Sequence, residues 1–553
     1  MPKKGVSGVM WRFKHYFRKL IRQKNAVPRL LMTLLLLTVI TVSVYLSMTA
    51  FQNWVHAGIP EHWAFDPNSP ENVAFVEHWL RVPVTADEAK EDIWYFFEAL
   101  RNTYVAYAYF GGDEVFLPIR DEMIAMLAGV EHEIRPVEFE RFIGAQLASV
   151  IDDEELFVGG TSLGSARSFI SQVPDLAYDK TDAGFVNRET GKRLISMEGH
   201  DIEAAMQIHI DNTGDIFYRP VFHDSVVVGG AGLTFIYDDG SEVMHRFVPV
   251  RYNLSSSFSF EMPTLEYLYG IPVVRVRGFG WDGHENSRNR EHAMVFLSFA
   301  EELRDEPVFI VDLRNHIGGC RIMPLRWFYA LTGELVPTNF VGLQIDIDFT
   351  SELSFYDNNY VNAPEVEAFF LGVESFAQGY NVFFNLPDRI IDNEQIIIVL
   401  TDRHSRFAPE IFVDLAMNMS NTLVIGDATA GASRFGGFDD PSFLPNSNIA
   451  FGFSQTMYIW PEGYYTHGFG IRPDIRVGGD PLTAALALLR NAGLGDNDDM
   501  NTVSTSSTSG ISTALNDSVF ITPSNLDDLL QIALERRQGI TKPNHDALLE
   551  LLE

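Results

Sequence analysis

Between Gln395 and Gly431 the chain reads IIIVL, TDRHSRFAPE, IFVDLAMNMS and NTLVIGDATAG, and no other stretch restricts the fold as much. A short β-branched run bounded by polar residues is a strand buried on both faces, so Ile396–Leu400 lies inside a sheet. The polar residues after it form a turn. Pro409 suits a first helical position, and Ile411, Phe412, Leu415, Ala416 and Met419 recur at helical spacing. Leu423–Ile425 then supplies a second buried strand. Such a strand, turn, helix, strand unit builds a parallel sheet, and its strand-to-helix turns carry the chemistry because ligands bind beyond the carboxyl ends of the strands.

A second unit lies upstream. Val308–Val311 reads as another buried strand and runs into DLRNHIGGC, Asp312–Cys320, before an apolar segment around Leu325, Trp327, Phe328 and Leu331. Gly318 and Gly319 offer open backbone N–H groups, a candidate oxyanion and peptide-binding site. The plainer reading is a pair of glycines that permits a tight turn.

These residues resemble a family. Asp312-Leu-Arg-Asn with Gly318-Gly319, the strand and turn ending in Pro409-Glu410-Ile411, Gly426-Asp-Ala-Thr-Ala-Gly431 and Gly468-Phe-Gly-Ile-Arg-Pro-Asp474 are similar, in order, to the core of the tail-specific, or C-terminal processing, serine proteases. Thr85–Val158 resembles the helical segment that precedes that core. The resemblance covers most of residues 85–490. It implies an α/β fold: a crotonase-like sheet built from βαβ units with flanking helices, acting on polypeptides without a cofactor.

The same resemblance locates the catalytic positions, and all three depart from the family pattern. Counting back from Glu410 places the nucleophilic serine at Phe407. The lysine falls on Ala428, and the histidine that some members use falls on Glu154. Phenylalanine, alanine and glutamate provide neither the attacking oxygen nor the usual base, and loss of a nucleophile costs about six orders of magnitude in turnover. Ser405, beside His404, is an alternative nucleophile; a serine opening a helix is also a common cap. The expectation is a peptidase domain with impaired hydrolysis that acts by binding peptide or protein. An active peptidase using Ser405 and a structural surface module are the alternatives.

The N-terminus sets the location. Residues 1–29 carry nine Lys or Arg and no acid, and residues 30–51 follow as one uncharged run. These 22 residues, apolar or hydroxyl-bearing throughout, span roughly 33 Å as a helix, enough to cross a bilayer. Basic residues before the span hold the N-terminus in the cytoplasm, so the main domain is expected outside a bacterial cell membrane, on an uncleaved single-pass anchor. Beyond the tail, 32 bases face 74 acids, a charge that argues against nucleic acid as partner. One cysteine, Cys320, excludes an intramolecular disulfide.

The remaining segments follow from pattern. Residues 52–84 form a Pro-containing spacer. Thr85-Ala-Asp-Glu88 is a capping box opening a helix with Ile93, Phe96, Phe97, Leu100 and Tyr104 on its apolar face. A helix after Pro136 uses Val137, Phe139, Phe142, Ile143, Leu147 and Val150. Residues 159–262 are β-rich, with a hairpin turning at Asp239-Gly240. Within them Leu194–Glu203 resembles the strand, turn and helix start of a PDZ-like domain, which captures extended peptides; a plain β insert is the alternative. The protease-like core spans 263–492, with an aromatic insertion at 337–386 that serves as a lid, a binding surface or a satellite core. His284 and His292 lack the spacing of a helical metal site and read as solvated loop residues, so no metal is expected. Residues 493–522 form a linker, and 523–553 an amphipathic helix that docks on the domain or on a partner.

Overall fold

The buried β-branched runs form the centre of a twelve-stranded sheet in the computed structural model. It describes residues 81–164, 170–172, 175–222, 232–246, 248–250, 261–280, 288–345, 374–376, 380–383, 389–437, 441–495, 523 and 525–543, all within the compact unit Trp79–Glu553. The helices are α1 (Ala86–Thr103), α2 (Gly112–Met126), α3 (Pro136–Leu147), α4 (Arg288–Glu302), α5 (Met323–Thr332), α6 (Ala408–Met417), α7 (Pro481–Asn491) and α8 (Leu526–Gln538). The strands needed below are β1 (Met206–Ile210), β2 (Ile216–Phe222), β3 (Thr264–Leu268), β4 (Ile271–Arg275), β5 (Val308–Asp312), β6 (Val341–Ile345), β7 (Ile396–Thr401), β8 (Thr422–Gly426), β9 (Thr456–Ile459) and β10 (Ile475–Val477).

The order β2-β1-β10-β8-β7-β5-β4-β3 runs through the sheet, parallel from β1 to β4 and antiparallel at β1/β2 and β3/β4. Successive side chains point to opposite faces, so each run feeds two cores. Phe309, Val311, Ile397, Val399 and Val424 meet α4, α5 and α6 on one face. Ile310, Ile398, Leu400, Leu423 and Ile425 meet α7 and α8 on the other. Helices on both faces are what a parallel sheet requires, since neither face then meets water.

The capping box at Thr85 forms as its sequence predicts: the Glu88 N–H donates to the Thr85 hydroxyl, and the Thr85 N–H to the Glu88 carboxylate at 2.8 Å. Ile93, Phe96, Phe97 and Leu100 are buried, with Tyr104 at the cap. In α3 the stripe is narrower than expected: Val137 is exposed, whereas Phe139, Ile143 and Leu147 are buried. Position 137 is in the first turn, beside the N-terminal Pro136, and faces away from the core-bound side.

The hairpin at Asp239-Gly240 joins Gly232–Tyr237 to Glu242–Arg246, and Leu194–Met197 is followed by a turn and one helical turn, Ile202–Ala205. His292 departs from its expected place in a solvated loop. It lies in α4, 1% exposed, its Nδ1 accepting from the Gly280 N–H and its Nε2 3.1 Å from the Glu261 carbonyl. Alternating polar residues around it hid a helical face. His284 lies outside the described residues. Among the described residues, no group of His, Cys, Asp and Glu could hold a metal ion, and no helix is long and apolar enough to cross a membrane. Residues 1–80, including the 30–51 segment, lie outside them, as does 496–522 of the linker.

The described part of the 337–386 insertion belongs to a core. Phe340 packs on Tyr458 and Trp460, and β6 pairs with β9 in a five-stranded sheet. That sheet shares apolar contacts with α1–α3 through Val341, Leu343, Phe435 and Met457. The helical segment and the insertion therefore bury each other's apolar faces.

Asp414 of α6 anchors the start of the insertion. Fully buried, it accepts from the Asn339 N–H and Nδ2 at 2.9 Å each and from the Tyr464 hydroxyl at 2.7 Å. Burial outweighs these bonds and raises its pKa from 3.8 to about 6. A raised carboxyl pKa gives stability that is fully present below the unfolded value and lost as pH rises through about 6. Asp414 thus contributes roughly 3 kcal/mol at low pH that has gone by neutrality. Urea unfolding at several pH values is expected to show this decline, and Asp414→Asn to flatten it; equal slopes in the two proteins would refute the assignment.

Candidate active site

The turn after β7 is built by its own side chains. The Asp402 carboxylate accepts from the Asn315 N–H at 3.1 Å and the His404 N–H at 2.9 Å, tying this turn to the one after β5. Ser405 is fully buried; its hydroxyl donates to the Leu313 carbonyl at 2.8 Å and accepts from the Asp402 N–H at 3.1 Å. Here serine acts as an internal turn cap, and its proton is already committed to a backbone carbonyl.

Two residues on, Phe407 occupies the position before α6 with φ 64° and ψ −119°. A bulky residue in this region is strained by about 1–3 kcal/mol, and such strain concentrates at functional turns. The sharp strand-to-helix turn that presents a nucleophile has this character. Phe407 thus combines this strained turn backbone with a phenyl side chain, which offers no nucleophilic atom.

Glu410, one turn into α6, holds the turn in place. It is fully buried and accepts from the Thr429 hydroxyl at 2.5 Å and from the N–H groups of Gly431, Ala432 and Ser433 at 2.7, 3.0 and 2.8 Å. The Ser433 hydroxyl in turn donates to the Phe407 carbonyl at 2.7 Å. Arg403 fastens the other side, its guanidinium donating to the carbonyls of Thr429, Ala430, Gly468 and Phe469. The Gly426–Gly431 and Gly468–Asp474 motifs thus meet around one buried carboxylate and one buried guanidinium.

The structure brings Gly318 against the elbow. A Cβ at Gly318 would stand 3.4 Å from Phe407 Cδ2, so the phenyl ring covers the glycine directly. The Gly318 N–H donates to His316 Nδ1 at 3.3 Å. At Gly319 a Cβ would strike the Phe279 carbonyl oxygen at 2.0 Å, and its φ of 115° suits glycine. The pair closes a turn, with one of its N–H groups used inside that turn.

Glu154 sits near the same point. Burial raises its pKa; the positive charges of Arg406 and His467 oppose the rise, and Glu410 and Asp152 add to it. Its Oε1 is buried without a hydrogen bond. Arg406 stacks over the Phe407 ring, 5.1 Å from its centroid, and His467 Nε2 lies 3.6 Å from the Asp152 carboxylate. Glu154 therefore belongs to a charged group at the elbow. Ala428 differs: its buried methyl packs with Val221 of β2, where a lysine amine would require polar partners. Counting back from Glu410 leads to Phe407, which the structure places directly before α6. Sequence reasoning missed Arg403, Arg406 and His467, which no motif distinguishes from surface residues.

Comparisons with solved structures give several neighbours of low identity. The chain is similar to mature CPAF, at 14% identity over 71% of this chain and 93% of that one, with a TM-score of 0.36. It is also similar to the photosystem II D1 C-terminal processing protease, at 13% identity over 73% and 96%, with a TM-score of 0.35. A putative peptidase from Parabacteroides merdae ATCC 43184 aligns at 17% identity over 74% and 95%, with a TM-score of 0.34. Two of these three neighbours are named as a C-terminal processing protease and a putative peptidase. No protein-family model and no curated protein matches the chain.

Proposed function

We propose that this chain is a polypeptide-binding protein with a tail-specific peptidase fold that has lost hydrolysis, held at a cell membrane by residues 30–51 with its main domain outside. The observation that carries this reading is Phe407: the strained backbone of a nucleophile turn bears a phenyl ring packed on Gly318. Strain of this kind persists only where surrounding structure imposes it, and Glu410 and Ser433 impose it here. Ala428 and Glu154 at the two base positions agree with it. The burial of Ser405, and its bond to the Leu313 carbonyl, count against a displaced nucleophile.

The test uses the full chain, an unfolded protein substrate with a free C-terminus, and the variants Ser405→Ala and Phe407→Ser. No cleavage by the wild type is expected, with retained binding of the unfolded chain. Phe407→Ser alone is expected to remain inactive, because no base accompanies the new hydroxyl. Cleavage that Ser405→Ala abolishes would establish an active peptidase instead. Absence of any polypeptide binding would favour a structural surface module.

A further inference from the structure

A cleft of about 730 Å³ opens between β1 and β2, the loop after Pro461, and α8. Its size is that of a ligand site. Ile208 and Tyr218 come from the sheet, Ile532 from α8 and Ile540 from the residues just after it, so apolar side chains reach it from both walls.

Its cations are unequally committed. Lys180 pairs with Glu203 at 2.6 Å, and Arg536 with Asp474 at 2.5 Å. Asp474 is further engaged by Arg537, and nearby Arg476 is spent on Asp427. Arg472 is exposed, and among the described residues it has neither an ion pair nor a hydrogen bond. Enclosing protein and the guanidiniums of Arg476 and Arg536 lower its pKa, the sign expected where positive charge lacks compensation. The remaining lining acid, Glu462, is exposed. In a chain of net charge −33, an uncompensated guanidinium beside apolar walls is a specific feature.

We propose that this cleft binds an extended peptide segment carrying a carboxylate beside apolar side chains, with the carboxylate on Arg472 and the apolar groups against Ile208, Ile532 and Ile540. Arginine presents a planar fork that meets a carboxylate through two hydrogen bonds. A compact inorganic anion would use Arg472 and leave the apolar walls wet. The site is separate from the elbow and independent of whether Phe407 has replaced a nucleophile.

The test follows fluorescence anisotropy of a labelled acetyl-Leu-Leu-Glu-Leu-Leu-Glu-amide peptide, whose only carboxylates are its glutamates, on the full chain. Saturable binding is expected, weakened about tenfold or more by Arg472→Glu and by replacing the peptide's glutamates with glutamine. Arg472→Lys should keep part of the affinity, and Phe407→Ser should leave it unchanged. Ile532→Asp, on the opposite wall, should also weaken binding and covers the case in which Arg472→Glu disturbs folding. Absence of saturable binding, indifference to both cleft variants, or equal affinity for the glutamine peptide would overturn the proposal. Loss of binding in Phe407→Ser would do so too, by placing the peptide at the elbow.

Discussion

Glu410→Ala is expected to destabilise the protein by roughly 4–5 kcal/mol, although the lost side chain contacts no solvent. The carboxylate receives one hydroxyl and three backbone N–H groups from Thr429–Ser433. With the Phe407 N–H, which donates to it at 3.3 Å, removing it leaves five donors without their acceptor, each costing about 1–3 kcal/mol if water cannot reach it, with some relief as the loop relaxes. Glu410→Gln should lie between the two, since an amide keeps an acceptor oxygen but turns an N–H₂ toward donors. Trp460 gives a local signal, because its indole N–H donates to the Ser433 carbonyl at 3.0 Å. A shift in tryptophan emission with an early denaturant transition is the expected result; an unchanged midpoint would show that the loop holds itself.

That prediction separates what was legible in the sequence from what was not. The β5 and β7 runs, their helices and the parallel order were legible because strands buried on both faces have an unbroken apolar signature. The turn before α6 was legible because Pro409 suits the head of a helix. The conformation of Phe407 was not, since no propensity places phenylalanine at φ 64°. Nor was the fate of Ser405: an Asp-x-x-Ser turn reads the same whether the hydroxyl faces a cleft or, as here, the Leu313 carbonyl. His292 failed for a related reason, its polar neighbours masking a helical face that carries it into the interior. Arg403 and Arg537 are both buried, and arginine ordinarily marks the surface, so only the assembled loops explain them. Leucine spacing in α8 left its partner open. The answer lies on β8, where Leu526, Leu529, Leu530 and Ala533 join the sheet's second core.

The docking of α8 rests on more than leucines, and Arg537→Ala should expose this. Arg537 is 4% exposed; its guanidinium donates to Asp474 at 2.5 Å, to the Thr422 carbonyl at 2.8 Å and to the Met419 carbonyl at 3.3 Å. Asp474 lies in the Gly468–Asp474 motif and also accepts from the Val424 N–H at 2.7 Å, so the pair joins α8 to β8 and to the loop leading into β10. Burying such a pair gains little over an apolar one, but removing one partner leaves the other charge stranded, at about 3–5 kcal/mol. Arg536, 2.5 Å from the other Asp474 oxygen, softens the loss without replacing the two carbonyl bonds. Arg537→Lys should rescue little, because a point charge cannot span three acceptors on different elements. Hydrogen exchange at Leu529–Ala533 is expected to accelerate sharply in Arg537→Ala while exchange in β5 and β7 changes less. Uniform acceleration across the sheet would mean that α8 unfolds only together with the whole core, whereas unchanged protection in α8 would mean that its leucines suffice.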